Sequence, residues 1–264
     1  TDIVISSEGD GTGTISSFTG SGSSYTAIFT PNANDTYTIT VPTGSFTDTL
    51  GITNSEASFI WNYDTNKPTM AITASGATAV SSEDTTNDPA LNIAFVSSKT
   101  TVDFVLSDIS ITNLAGTAIT GAISSFTGSN KDYSAIFTPP SNGSYTITVA
   151  ADTFTDASGN NNTQSNSFVW IWDTDEPTVT ITASGAAAVS SGDTTNDSSI
   201  SLVIVSSKST TTFAQSDISV TNLAGVSVTS GLNSFSGSGT DYSVTFVPPS
   251  DANDTYTITV PDEM

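Results

Sequence analysis

The chain has no cysteine and no histidine. Without histidine it lacks the usual general base at neutral pH and the commonest nitrogen ligand for metals. Without cysteine there is no thiol nucleophile, no structural zinc site and no disulfide, so each domain must be held by core packing. Positive charge is nearly missing too. The four basic residues are all lysine, against 26 acidic ones, for a net charge of −22. Such a chain repels nucleic acid and anionic membrane surfaces, because phosphate binding needs Lys and Arg. No apolar run approaches the length of a membrane span. Nor is there a visible signal peptide: the opening TDIVIS reads as the inside of a strand. The acidity itself has two open readings, cation binding and solubility of a Ser/Thr-rich β protein.

What the sequence has is repetition. SGATAVSSEDTTND at 75–88 returns as SGAAAVSSGDTTND at 184–197, and SDISITNLAGTAIT at 107–120 returns as SDISVTNLAGVSVT at 216–229. SSFTGSGSSYTAIFTP at 16–31 matches SSFTGSNKDYSAIFTP at 124–139. The expected organisation is a partial repeat at 1–63 lacking its opening strands, a complete repeat at 64–172, and a repeat at 173–264 lacking its last strand. We read this as a window on a longer tandem array, with strand exchange between chains as another way to complete the ends.

Hydrophobic residues alternate with Thr and Ser, the period-2 code of strands with one buried side. LNIAFV places Leu91, Ile93 and Phe95 on one face, and YTITV places Tyr145, Ile147 and Val149 on one face. In the complete repeat this predicts strands near 69–75, 90–96, 101–106, 109–114, 121–127, 132–138, 144–150 and 166–172. Turn signals such as TPPSNG, NLAG and DASGNNN lie between them. No useful helical periodicity occurs. Seven or eight short strands in roughly 100 residues is the signature of an immunoglobulin-like sandwich. The expected fold class is therefore all-β, with tandem immunoglobulin-like β-sandwich repeats forming an elongated rod.

The succession DTxxPTVTITxSG, SDIxxTN, SSFTGSG…Y, YTITV and FTDxxGN resembles the bacterial immunoglobulin-like repeats of large cell-surface and secreted proteins, adhesins among them. The resemblance covers the whole chain, and it speaks to scaffold more than to a site. It implies an extracellular or cell-surface rod of modules, in some cases stiffened by Ca²⁺ between modules. Partners implied are neighbouring repeats or copies of the chain in an array or filament.

Candidate sites follow from particular residues. Asp64, Asp173, Asp175 and Glu176 lie where one repeat hands over to the next, each joint stiffened by a proline, Pro68 or Pro177. Ca²⁺ needs six to eight oxygen ligands, so loops would have to add Glu83, Asp84 and Asp88, or Asp193 and Asp197, with Asp156 or Asn160. The first joint is the poorer one, because Lys67 would oppose a cation. The alternative is a solvated turn in which Asp caps backbone N–H groups. Alternate aromatics, Phe168, Trp170 and Trp172 in one repeat and Phe59, Trp61 and Tyr63 in another, share a face. The expectation is core packing, and the alternative is a carbohydrate- or surface-binding ladder using Trp170 and Trp172. Asn34, Asn142, Asn253, Asn161 and Asn196 match the N-glycosylation pattern, so a glycoprotein is one reading. Tight-turn chemistry is the other. Lys99 and Lys208 share one turn, and V-S-S-K-T reads as exposed. A covalent Lys–Asn link, as in some surface immunoglobulin-like domains, would instead need a buried lysine beside a carboxylate. With no nucleophile–base pair, and with its Asp residues in short turns, the chain is expected not to be an enzyme.

Overall fold

The computed structural model describes residues 2–249 and 253–262. The chain divides into two compact units, Thr1–Thr174 and Asp175–Met264. The first unit holds both of the segments that the sequence divides at residue 64, 1–63 (below, the partial or first repeat) and 64–172 (the complete or second repeat).

The complete repeat is a pair of sheets. One is five-stranded and the other four-stranded. The partial repeat supplies β1 (Val4–Ser7), β2 (Gly13–Ser21), β3 (Ser24–Pro31), β4 (Asp35–Val41) and β5 (Ala57–Tyr63). The complete repeat follows with β6 (Met70–Ser75), β7 (Ala79–Val80), β8 (Thr85–Thr86), β9 (Leu91–Ser97), β10 (Ile109–Asn113), β11 (Ile123–Ser129), β12 (Asp132–Phe137), β13 (Gly143–Val149) and β14 (Phe168–Trp172). Its sheets run β11-β12-β9-β6-β7 and β10-β13-β14-β8. β9 shows why the alternation matters: Leu91, Ile93 and Phe95 are buried, while Asn92 and Val96 face outward. Antiparallel pairing sets Tyr133 opposite Phe95 and Phe137 opposite Leu91, so the inward side chains of both strands meet on one face. The core they form also takes Ile147, Val149, Phe154, Phe168 and Trp170.

One predicted strand is absent. Residues 101–106 form an isolated bridge from Thr101 to Asp156, and then a single 3₁₀ turn at Leu106–Asp108. The chain is crossing here from the sheet of β9 to the sheet of β10, so it cannot stay in either ladder. Only Phe104 of this segment enters the core, packing edge-on against Tyr133 and Phe154, while Val102, Val105 and Leu106 stay exposed. The two-residue strands β7 and β8 were not foreseen. β8 is parallel to β14, and Thr86 in it accepts the Trp170 indole N–H at 3.1 Å.

In the second unit, β15 (Val179–Ser184), β16 (Ala188–Val189), β17 (Ile200–Thr210), β18 (Ser219–Asn222), β19 (Leu232–Phe246) and β20 (Tyr256–Thr259) form sheets β16-β15-β17-β19 and β18-β20. The core between them is smaller and includes Leu202, Ile204, Val220, Tyr242, Val244 and Phe246.

Candidate functional site

The place where the first repeat passes into the second, Asp64–Pro68, carries a connected set of polar bonds. Its centre is Lys99, just past the end of β9. The ammonium donates to Asp64 Oδ2 at 2.5 Å, to Asp156 Oδ2 at 3.1 Å and to the Asn66 carbonyl. An ammonium has three donors, and all three are used. The turn read as exposed is therefore an ion-pair site: only 25% of the Lys99 side chain is accessible, and 2% of Asp156. No partner for V-S-S-K-T is visible along the chain because both carboxylates come from distant segments, Asp64 at the start of the repeat and Asp156 near its end.

The rest of the site holds the two acids in place. Asp64 Oδ1 accepts the Asn66 amide at 3.0 Å. Asp156 Oδ1 accepts the amides of Ser158 and Asn160, both at 2.9 Å, and the Asn160 side-chain amide reaches both the Asp156 carboxylate and the Asp64 carbonyl. The bond from Lys99 is the main reason the Asp64 carboxyl lies below its usual range. Burial works to raise Asp156, but its bonds from Asn160 and Lys99 outweigh that and lower it. Burial likewise opposes the charge on Lys99, and the bonds to Asp64 and Asp156 win, raising its pKa. An amine held protonated in this way is a poor nucleophile, so the chemistry of the site is ionic. Lys67 does not oppose this arrangement, since it leans toward Asp152 at 3.5 Å.

A second pair of bonds fastens the same joint. Asn34, in the turn before β4, accepts both the backbone N–H and the hydroxyl of Thr65, at 3.0 and 2.8 Å. Asn142, in the corresponding turn before β13, does the same for Thr174 at 3.1 and 2.8 Å. These two Asn of the glycosylation pattern thus have a structural use for their side-chain oxygen. Asn34, Asn142, Asn161, Asn196 and Asn253 are all exposed. Turn formation also involves the tyrosine three residues on. Tyr37 donates to the Ala33 carbonyl at 2.7 Å, and Tyr145 donates to the Ser141 carbonyl.

The remaining acids cap turns. Asp84 accepts the Ser81 amide at 2.7 Å, and Asp193 accepts the Ser190 amide at 2.8 Å. Asp88 accepts the Ala77 amide at 2.8 Å, and Asp197 accepts the Ala186 amide at 2.9 Å. Each of the last pair lies against a glycine with no room for a side chain: a Cβ on Gly76 would fall 2.2 Å from Asp88, and one on Gly185 would fall 2.1 Å from Asp197. The Asp173 amide donates to the Thr86 carbonyl at 3.1 Å. The Asp175 carbonyl accepts from Lys208, and Glu176 is exposed. Among the described residues no group of three or more acidic side chains is arranged to hold a metal ion. At Asp64 the residues do not fit Ca²⁺, because the chain's own ammonium stands between the carboxylates.

The aromatic stripe is core in the complete repeat. Phe168 and Trp170 are buried, and Trp172 packs against the same cluster. Trp170 stacks edge-on against Phe137 with ring centres 5.8 Å apart, so it has no ring face for a sugar. Sequence reasoning missed Asn162, which is fully buried. Its oxygen accepts the amides of Thr153 and Phe154, and its NH₂ donates to the carbonyls of Ala150 and Thr163. Asn54 at the matching place in the first repeat bonds the Phe46 amide and the Pro42 and Ser55 carbonyls. That recurrence, within FTDxxGN and two residues beyond, was a signal available in the sequence.

Residues 64–170 match the family model of a bacterial Ig-like domain. No match is found among curated proteins.

Proposed function

We propose that this chain is a structural segment of an extracellular or cell-surface protein, whose immunoglobulin-like repeats act as a load-bearing spacer and not as a catalyst. The presence of a bacterial Ig-like domain at 64–170 supports a surface module. The observation that carries the spacer role is the joint after β5. There the connecting segment is tied back to the repeat it leaves through Asn34 and Thr65, and forward to the repeat it enters through Lys99, Asp156 and Asn160. A connector bonded on both sides resists bending and passes force from one module to the next; a flexible tether needs neither set of bonds. Burial of Trp170 supports the spacer reading over sugar binding by the aromatic strand.

The test is mechanical. Single-molecule pulling across the chain should show discrete unfolding steps, and Lys99→Met should lower the force needed to open the first joint. Negative-stain microscopy of the native material should show a linear array. Saturable binding of a polysaccharide, with the joint variants pulling like the parent, would instead favour a binding module.

A further inference from the structure

The segment that leaves β14 is held by a side chain with a second chemistry. Asn142 is the one asparagine of the chain that a glycine follows. Its side-chain oxygen accepts the Thr174 amide at 3.1 Å and the Thr174 hydroxyl at 2.8 Å. Asn142 and Gly143 are both exposed to water. Nothing lies within 4 Å of where a Cβ on Gly143 would stand, so no side chain screens the Gly143 nitrogen on that side.

Asn34 is the comparison within the same molecule. Its oxygen makes the same two bonds to Thr65, at 3.0 and 2.8 Å. The residue after it is Asp35, whose side chain adds bulk beside its own amide and is bound to the Gly9 and Gly11 amides at 3.1 and 2.8 Å. The two locks are alike, but only at Asn142 does an unscreened backbone nitrogen follow the side-chain amide.

We propose that Asn142 is a site of spontaneous deamidation, gated by its lock on Thr174. In the closed lock two bonds hold the Asn142 carbonyl toward Thr174, and Gly143 stands opposite Trp172 at the end of the β13–β14 ladder. Nitrogen and side-chain carbon must leave these pairings before they can react, so the reaction needs local opening. After opening, the Gly143 nitrogen passes its proton to water and attacks Asn142 Cγ. The new N–Cγ bond closes a cyclic imide, the Cγ–Nδ2 bond breaks, and the departing nitrogen takes a proton from water and leaves as ammonia. Water then opens the imide at either carbonyl. One product is aspartate, whose oxygen accepts from Thr174 as before. The other is isoaspartate, in which the main chain runs through the side-chain methylene and is one carbon longer. That displaces Gly143 against Trp172, and the lock does not re-form. Opening of this segment therefore leaves a covalent mark, whereas opening at Asn34 leaves none. The site follows from the bonds around Asn142 and does not depend on the spacer reading.

The experiment incubates the intact chain in neutral buffer and in urea, digests it at intervals, and reads the asparagine peptides by mass spectrometry for replacement of NH₂ by OH. In urea Asn142 should convert well ahead of Asn34, and Gly143→Ala should remove most of that lead. In buffer Asn142 should convert more slowly than in urea, with isoaspartate at 142 among the products. Thr174 is exposed, and Thr174→Ala should raise the buffer rate about fivefold, as loss of one ordinary hydrogen bond predicts. The urea rate should stay the same, and Thr174→Ser should keep the parent rate in buffer. Hydrogen exchange at the residue 174 amide should speed up by the same factor as the conversion. Conversion of Asn142 no faster than Asn34 in urea, equal rates in buffer and urea, or a buffer rate that does not follow the opening of residue 174 would overturn the proposal.

Discussion

Lys99 illustrates how one side chain fixes the energetics of a joint. Replacing it with Met leaves the carboxylate of Asp156, of which 2% is exposed, facing no cation, and should cost roughly 1–3 kcal/mol, as for a buried acceptor losing its charged donor. Part of the contribution from Asp64 is screened, since 32% of its side chain is accessible. The pH dependence has a definite sign. Asp64 and Asp156 have lowered pKa values when folded, so their contribution is present above the unfolded value of about 4 and is lost as pH falls below it through the folded values. Lys99 has a raised pKa, so its contribution is present below the unfolded value of about 10.4 and is lost as pH rises through the higher folded value. Thermal melts of the parent and of Lys99→Met should therefore differ across the neutral range and converge at both extremes. Adding EDTA should leave the parent's first-unit transition unchanged, because the cation at this joint is covalently part of the chain. A smaller effect is expected at Asn34. Asn34→Ala removes two acceptor contacts to Thr65, and native-state hydrogen exchange should show faster exchange at the Thr65 amide with the β9 amides unchanged.

Strands with the same sequence pattern have different energetic weight depending on what covers them. β5 and β14 carry matching aromatics, yet Trp170 is fully buried and Trp61 is 36% exposed. Trp170→Ala should cost about 3–5 kcal/mol, typical of emptying a large core site. Trp61→Ala should cost clearly less, and chemical denaturation of the two variants compares them directly. Much of the strand pattern was legible: β6, β9, β12, β13 and β14 lie close to where the sequence pattern put them, because each sends alternate apolar side chains into the core. The segment 101–106 failed for a physical reason. T-V-D-F-V-L alternates, but the chain there leaves one sheet for the other, and a crossing has no ladder to join. β7 and β8 are two residues long, too short for any periodicity to register.

Across the whole molecule, two cores of unequal size predict unequal stability. The first unit gathers Leu91, Phe95, Phe137, Ile147, Phe154 and Trp170, among others, into one cluster. The second relies on a smaller one around Leu202, Ile204, Val220 and Phe246. Because hydrophobic stabilisation scales with buried apolar area, calorimetry should resolve the second unit melting first, and the core variant Trp170→Ala should shift only the later transition. The net charge of −22 adds self-repulsion throughout, so moderate salt should raise both transitions.

The sequence alone determined the all-β class and most strand positions of residues 64–172, because these are set by local alternation. It also excluded thiol and imidazole chemistry by composition. Only the tertiary structure decided what the acids do. Asp64, Lys99 and Asp156 are far apart in sequence, and whether an acidic joint takes a metal, water or a lysine depends on which loop folding carries there. The same holds for the aromatics. Alternation places Phe59, Trp61, Phe168 and Trp170 on faces of strands, but burial of a face requires another layer on it. That layer is present over β14 and absent over β5 among the described residues.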